Sequence, residues 1–277
     1  MSGAAVSRLD AAFARLRDDG RKALVPFMTC GDPSLESTVP VMHALVEAGA
    51  DAIELGVPFS DPMADGPVIQ QASERAIARS GGIRHVLASV AAFRRHDDAT
   101  PVVLMGYLNP VEIIGAETFA AEAAAAGVDG LLLVDLPPEE AEDFRRAFRR
   151  HGIALVWLAS PTTGAGRLEK LNALAEGYLY YVNYAGVTGA DHLHAGDAGE
   201  RLRTIRARCP VPVLAGFGIK DAASAAAMAA NADGVVVGSA LVAAMAGAGD
   251  VEEAARRAHA FLAPLRSALD GARPAVG

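Results

Sequence analysis

Short apolar runs alternate along the chain with longer amphipathic stretches. Most of the runs are apolar at consecutive positions, which is typical of parallel strands that are buried on both faces. The eight runs are Leu24–Cys30, Ala52–Leu55, Val102–Gly106, Leu131–Val134, Ile153–Leu158, Tyr178–Val182, Val211–Ala215 and Gly234–Val237. The helical stretches between them include Thr38–Ala48, His85–His96, Glu117–Ala126, Glu139–Arg150, Leu168–Ala175, Ala198–Arg208 and Ala222–Ala230.

A further helix is predicted at each end of the chain. At the start, Ser7 is a suitable N-cap, apolar residues recur at helical spacing from Leu9 to Leu16, and Gly20 is a suitable terminator. At the end, Glu252–Leu269 has a helical pattern that Pro264 is expected to kink or split.

Eight strand–helix units predict an α/β fold, namely a single (β/α)₈ barrel over residues 1–277, with an extra N-terminal helix and a short helix after strand eight. Residues 1–6 and 271–277 are expected to be frayed ends. A doubly wound open sheet is the alternative. The first strand, however, is followed by the turn Gly31-Asp32-Pro33, whereas that fold usually has a glycine-rich dinucleotide loop there.

Composition and charge narrow the function classes. Hydrophobic residues make up 52% of the 277 positions and charged residues 21%, which is enough for a large core. The net charge of −8, without a basic stripe, disfavours nucleic-acid binding. Neither Cys30 nor Cys209 lies in a metal-binding pattern, and no signal peptide or membrane span is evident. We expect a cytoplasmic protein with no metal site.

Glycine-rich loops after strands six to eight indicate a phosphate site. Barrels most often bind phosphate with the loops after strands seven and eight, where main-chain N–H groups and a helix N-terminus converge. The expected donors are the amides of Gly218, Gly238 and Ser239, with Gly189 closing over the ligand and Thr188 beside the substrate. Glycine also occurs in any tight loop, but two adjacent loops of this kind favour phosphate binding.

Carboxylates are dense around the second strand. Glu54 lies between Ile53 and Leu55, so its side chain is expected to face the barrel interior if these neighbours face the helices. Burial there would raise its pKa, which suits proton transfer near neutral pH. Asp65 and Asp61, in the following loop, compete as the second carboxylate, and Asp32 is expected to be structural.

Aromatic and aliphatic side chains near the strand ends suit an apolar substrate body. Phe27, Leu104, Met105, Phe217 and Ile69 are the candidates, and each is also an ordinary core residue. On strand six, alternation puts Tyr178 and Tyr180 on one face. We expect the Tyr180 hydroxyl to approach the reacting centre and Tyr178 to serve in packing only.

The run Glu54–Gln70, ELGVPFSDPMADGPVIQ, closely resembles the signature of the tryptophan synthase alpha subunit family. The run Pro26–Pro33 resembles this family too, as do the loops Ala185–Gly189 and Gly216–Ile219, and the similarity extends from about Phe13 to the last helix. Two departures stand out. Tyr184 occupies a position where many members carry a basic residue, and Cys30 replaces an aliphatic residue.

The resemblance implies cleavage of indole-3-glycerol phosphate to indole and D-glyceraldehyde 3-phosphate, a step of L-tryptophan biosynthesis. It implies that Glu54 is the acid–base group and that Asp65, rather than Asp61, holds the indole N–H. It also implies no cofactor in this subunit, and a pyridoxal-phosphate beta subunit as the partner in an α₂β₂ heterotetramer. An isomerase of phosphorylated sugars and a non-catalytic regulator of the partner are the competing hypotheses.

Overall fold

The computed structural model describes residues 7–182, 195–216 and 218–271, with backbone only for 195–198. Twelve α-helices lie in these ranges: α1 (Arg8–Asp18), α2 (Thr38–Glu47), α3 (Pro67–Ala78), α4 (Ile83–Phe93), α5 (Leu108–Ile114), α6 (Ala116–Ala126), α7 (Glu142–Arg150), α8 (Ala165–Leu174), α9 (Ala195–Arg208), α10 (Ala222–Ala229), α11 (Ser239–Met245) and α12 (Val251–Gly271). A 3₁₀ helix spans Pro138–Glu140.

Nine parallel strands are described: β1 (Ala23–Thr29), β2 (Ile53–Gly56), β3 (Val102–Gly106), β4 (Gly130–Leu133), β5 (Ala154–Leu155), β6 (Trp157–Ala159), β7 (Leu179–Val182), β8 (Val213–Gly216) and β9 (Gly234–Val237). They form one sheet in the order β5-β4-β3-β2-β1-β9-β8-β7-β6. Since β5 and β6 are separated only by Val156, the two edges of the sheet are joined through the chain itself. The predicted (β/α)₈ barrel is therefore confirmed.

The fifth predicted strand differs from expectation in one respect. Ile153–Leu158 was predicted as continuous, but its first part pairs with β4 and its second part with β7. The Val156 N–H still donates to the Leu131 carbonyl at 2.9 Å. The chain thus changes partner at this position, and this change closes the barrel.

Two apolar layers follow from strand alternation. The larger layer lies between strands and helices and includes Ile53 and Leu55, while the smaller fills the barrel and includes Phe27 and Val103. Helix α12 runs unbroken through Pro264, so the expected split is wrong. The short helix predicted after the eighth strand is α11. No helix within the described ranges is long and apolar enough to cross a membrane.

Four buried or half-buried carboxylates hold the amino-terminal end of the barrel together. Each precedes one strand, accepts a main-chain N–H from another strand and is paired with an arginine on a helix or directly after one. Asp51 accepts from Leu24 and pairs with Arg266, and Asp129 accepts from Val102 and pairs with Arg94. Glu176 accepts from Leu155 and pairs with Arg145, and Asp233 accepts from Val213 and pairs with Arg206. This end is therefore built for stability, which leaves the carboxyl end for chemistry.

Candidate active site

Glu54 lies inside the barrel. Its register partners on the adjacent strands are Phe27 and Val103, both of which belong to the interior layer, and in a parallel sheet such partners point to the same side. The side chain is fully buried. The flanking residues Ile53 and Leu55 face the helices, as the sequence indicated.

The Glu54 carboxyl group has one hydrogen-bond partner among the described residues. The Tyr178 hydroxyl donates to Glu54 Oε1 at 2.5 Å, and Oε2 is buried without a partner in the described part of the chain. Burial raises the pKa of Glu54 to about 7, and the hydrogen bond from Tyr178 opposes this rise. One carboxyl oxygen is thus held in place while the other has no described protein partner.

Tyr178 does more than the sequence suggested. It was expected to serve in packing only, but its fully buried ring carries the hydroxyl that binds Glu54. Its ring lies 5.7 Å, centroid to centroid, from that of Phe13 in α1. Alternation correctly predicted that Tyr178 and Tyr180 share the interior face but gave no information about their depth. For Tyr180, the ring lies over Gly216, where a Cβ atom would overlap it.

Asp65 lies in the loop between β2 and α3, where it is half-buried. Burial raises the pKa of Asp65 to about 6, and a hydrogen bond from the Tyr107 hydroxyl opposes the rise. The same hydroxyl accepts the Ala64 N–H at 3.0 Å, and the Tyr107 ring stacks on Phe59 with centroids 5.0 Å apart. Tyr107 therefore fixes the loop that carries Asp65.

The other two aspartates have different surroundings. Asp61 is exposed and accepts a hydrogen bond from the Ser60 hydroxyl at 2.5 Å. Asp32 is buried and forms a bidentate pair with Arg75, at 2.7 and 2.9 Å. Neither Asp61 nor Asp32 combines burial with access to a cleft as Asp65 does. Asp65 is therefore the better candidate for the second carboxylate of the site.

A narrow cleft opens at the carboxyl ends of β1 to β3. It is lined by Phe27, Thr29, Gly56, Val57, Asp65, Ile69, Ser73, Met105, Gly106, Tyr107 and Val134. Of the apolar candidates, Phe27, Met105 and Ile69 line it, whereas Leu104 packs in the helix–sheet layer. Leu104 and Met105 are consecutive strand residues, so alternation allows only one of them to face inward.

Three polar residues of this cleft were not identified from the sequence as site residues. Thr29 and Ser73 are buried, and the Thr29 hydroxyl has no hydrogen-bond partner in the described ranges. Tyr107 is 4% exposed. Thr29 and Tyr107 come at or directly after the end of an apolar run, and that position was the available signal.

The expected phosphate-binding loops follow the neighbouring strands β8 and β9, which are paired through Gly216 and Val236. Gly218 has a φ of 73°, a conformation that favours glycine. Gly238 directly precedes α11, whose first N–H groups have no partner within the helix. Ser239 is exposed at its first position. Thr188, Gly189 and Phe217, like Tyr184, lie outside the described residues.

Within the described ranges, no group of three or more His, Cys, Asp or Glu side chains is arranged to hold a metal ion. The closed parallel barrel, with Glu54 and Asp65 as carboxyl groups of raised pKa toward the carboxyl ends of its strands, defines an α/β-barrel with a candidate acid–base site.

Comparison with known proteins agrees with this class. The family model for the tryptophan synthase alpha chain matches residues 13–269. A tryptophan synthase alpha chain from Xanthomonas oryzae pv. oryzae is 68% identical over 268 residues, which are 96% of this chain and 99% of the relative. The chain belongs to the tryptophan synthase alpha chain family.

Solved structures give the same result. The crystal structure of tryptophan synthase subunit alpha from Legionella pneumophila superposes with a TM-score of 0.90 at 45% identity, covering 96% of this chain and all of that one. A chain of the tryptophan synthase complex from Pyrococcus furiosus superposes with a TM-score of 0.80 at 38% identity, covering 89% of this chain and 99% of that one.

Proposed function

We propose that the chain is a carbon–carbon lyase that cleaves indole-3-glycerol phosphate to indole and D-glyceraldehyde 3-phosphate, as the alpha subunit of tryptophan synthase. The observation that carries the proposal is the fully buried Glu54, which faces the barrel interior with one unpartnered oxygen among the described residues and a pKa of about 7.

Glu54 is the acid–base group. Cleavage of the bond between indole C3 and the glycerol chain needs a proton at C3 and the loss of a proton from the C3′ hydroxyl. A carboxyl group that is half ionised near neutral pH suits both transfers, because it neither holds nor releases its proton too strongly. The Tyr178 hydroxyl fixes Oε1, which leaves Oε2 to exchange protons with the substrate.

Asp65 binds the indole N–H. Protonation at C3 turns the ring into a cation, and a carboxylate at the ring nitrogen stabilises the positive charge as it develops. The position of Asp65 in the cleft, half-buried and held by Tyr107, supports this role. The ring lies against Phe27 and Met105, which line the cleft and contribute hydrophobic contact without competing hydrogen bonds.

The phosphate group binds at the loops after β8 and β9. The amides of Gly218, Gly238 and Ser239 are the donors, since they follow adjacent strands and include the start of α11. A Cβ atom added to Gly238 would stand 3.4 Å from the Phe27 ring, so this loop borders the cleft wall. Tyr180 and Phe217 contact the glycerol and indole parts, and Thr188 and Gly189 close over the substrate.

The partner is the pyridoxal-phosphate beta subunit in an α₂β₂ heterotetramer, which receives the indole. This chain needs no cofactor of its own, because Glu54 supplies the proton transfers that the C–C cleavage requires and Asp65 stabilises the charge that develops on the ring. We place the protein in the cytoplasm.

The experiment is indole release from indole-3-glycerol phosphate by the purified chain, measured with and without a beta subunit. We expect indole and D-glyceraldehyde 3-phosphate in equal amounts, and faster release when the beta subunit is present. Absence of indole under both conditions would refute the proposal. Interconversion of phosphorylated sugars instead would favour an isomerase on the same barrel.

A further inference from the structure

A second cleft lies at the amino-terminal end of the barrel, opposite the active site. It is bounded by α1, by the turn that leads into β1, by α9 and by the segment before β8. Its cavity volume, about 980 Å³, lies at the upper end of the range for small-molecule pockets. We call it the basal cleft and define it by Phe13, Arg17, Lys22, Arg203 and Arg206.

The basal cleft is positively charged in an acidic protein. Its lining contains five cationic and two acidic side chains, namely Arg17, Arg21, Lys22, Arg203 and Arg206 against Asp10 and Asp233. The whole chain carries a net charge of −8. The cleft therefore concentrates positive potential at one place on a surface that otherwise repels anions.

Part of this positive charge is not neutralised by the protein. Arg206 pairs with Asp233 at 2.6 Å, Arg21 pairs with Asp270 at 3.2 Å, and Arg17 pairs with Asp18 at 3.5 Å. In the described ranges, by contrast, no carboxylate lies within 4.0 Å of Lys22 or Arg203. The Lys22 Nζ donates to the Ala232 carbonyl at 2.5 Å, and Arg203 Nη1 donates to the Asn231 side-chain oxygen at 2.7 Å.

Lys22 is the least favourably placed of these cations. Its side chain is half-buried, and burial lowers its pKa; the nearby Arg206 lowers the pKa further, and Asp233 opposes the shift. An anion bound beside Lys22 would offset the charge of Arg206 and replace lost hydration of the ammonium group.

The remaining wall of the basal cleft is apolar. Phe13 and Val211 contribute side-chain surface, and Pro210 and Pro212 add surface with no N–H groups to satisfy. A long nucleic acid does not fit this pattern, since a chain with a net charge of −8 would repel it outside the cleft. A compact ligand with a charged end and an apolar body fits both walls.

We propose that the basal cleft binds a small organic anion with at least two negative charges and a compact apolar part. Lys22 and Arg203 contact the charged groups, with Arg17 at the mouth, and the apolar part lies against Phe13 and Val211. Phosphates and carboxylates share the required chemistry, and the test distinguishes them.

The test is isothermal titration calorimetry of the whole chain with ADP, with citrate and with adenosine. Binding of the anion at the phosphate site at the other end of the barrel is distinguished from binding in the basal cleft by the Arg203→Gln variant, which changes only the cleft. We expect saturable binding of ADP or citrate with a Kd below about 1 mM that weakens with added salt, and no binding of adenosine. Failure of both anions to bind, or equal binding of adenosine, would overturn the proposal.

Variants locate the site. Lys22→Met and Arg203→Gln should each weaken binding of the anion about tenfold, since each removes a charge-assisted hydrogen bond. Arg256→Gln makes the same change of charge on an exposed position of α12 and should leave the Kd within about twofold. Because Lys22 precedes β1 and its loss could disturb folding, Arg203→Gln is decisive, and an unchanged Kd in that variant would refute the proposed site.

Discussion

The Tyr178 hydroxyl donates a 2.5 Å hydrogen bond to Glu54 Oε1 across the interior of the barrel. This bond joins β2 to the residue that precedes β7, and the ring of Phe13 lies against Tyr178 from the amino-terminal side. Since the bond favours the ionised carboxylate, it opposes the effect of burial on the pKa of Glu54. Tyr178 is therefore a positioning residue that also sets the protonation state of the proposed catalytic group.

Tyr178→Phe should shift the pH dependence of cleavage. Loss of the hydrogen bond raises the pKa of Glu54 above its value of about 7, by about one unit for a charge-assisted bond. The base form is then scarcer at neutral pH, so the rising limb of kcat against pH moves to higher pH by the same amount. If kcat falls equally at all pH values and the rising limb of the profile stays at the same pH, Tyr178 acts only in packing.

Tyr107→Phe should affect the reaction through Asp65. The hydroxyl hydrogen bond lowers the pKa of Asp65, so its removal raises that pKa above about 6 and increases the protonated fraction in mildly acidic solution. We expect kcat/KM to fall about tenfold near pH 6 and to recover at pH 8. Phenylalanine keeps the stacking on Phe59, so an equal loss at both pH values would contradict this explanation.

Glu54→Gln should stabilise the protein in alkaline solution. The folded-state pKa of about 7 exceeds the ordinary value of 4.5, so the favourable contribution of protonated Glu54 is present below pH 4.5 and is lost as the pH rises to about 7. Above that, the buried carboxylate costs about 3 kcal/mol. Glutamine keeps the oxygen that accepts from Tyr178. The variant's free energy of unfolding in urea should therefore exceed that of the wild type by an amount that grows from pH 5 to pH 8. A difference that stays constant over this range would contradict the raised pKa of Glu54.

Asp129→Ala should destabilise the barrel without touching the site. Asp129 is 5% exposed, accepts the Val102 N–H at 2.8 Å and pairs with Arg94 at 2.6 Å. Leaving Arg94 without its buried partner should cost about 3–5 kcal/mol in urea unfolding. Asp143→Ala breaks an exposed pair with Arg146 and should change stability by less than about 0.5 kcal/mol. If the two variants lose the same free energy of unfolding, the structural role proposed for Asp129 is wrong.

The fold followed from the sequence because parallel strands buried on both faces leave apolar runs, and eight such runs leave few architectures. The inward orientation of Glu54 followed from the apolar residues on either side of it. The sequence did not indicate the change of pairing partner at Val156, because a strand that passes from one neighbouring strand to another keeps its apolar pattern.

Side-chain contacts across the barrel could not be predicted from the sequence. Alternation assigns Tyr178 to a face but does not say which side chain meets it from the opposite strand, and Glu54 is 124 positions away. The same holds for the ion pair between Asp32 and Arg75, which joins β1 to α3. The choice of Asp65 over Asp61 rested on family resemblance, and burial against Tyr107 supplies its physical basis.

The central claim is that Glu54 carries the proton transfers. Its most direct test is single-turnover cleavage of indole-3-glycerol phosphate by Glu54→Gln, together with the Kd of the variant for glycerol 3-phosphate. We expect the rate of indole formation to fall by at least about 10³-fold while the Kd stays within about twofold. Cleavage at more than a tenth of the wild-type rate, with binding intact, would contradict the account.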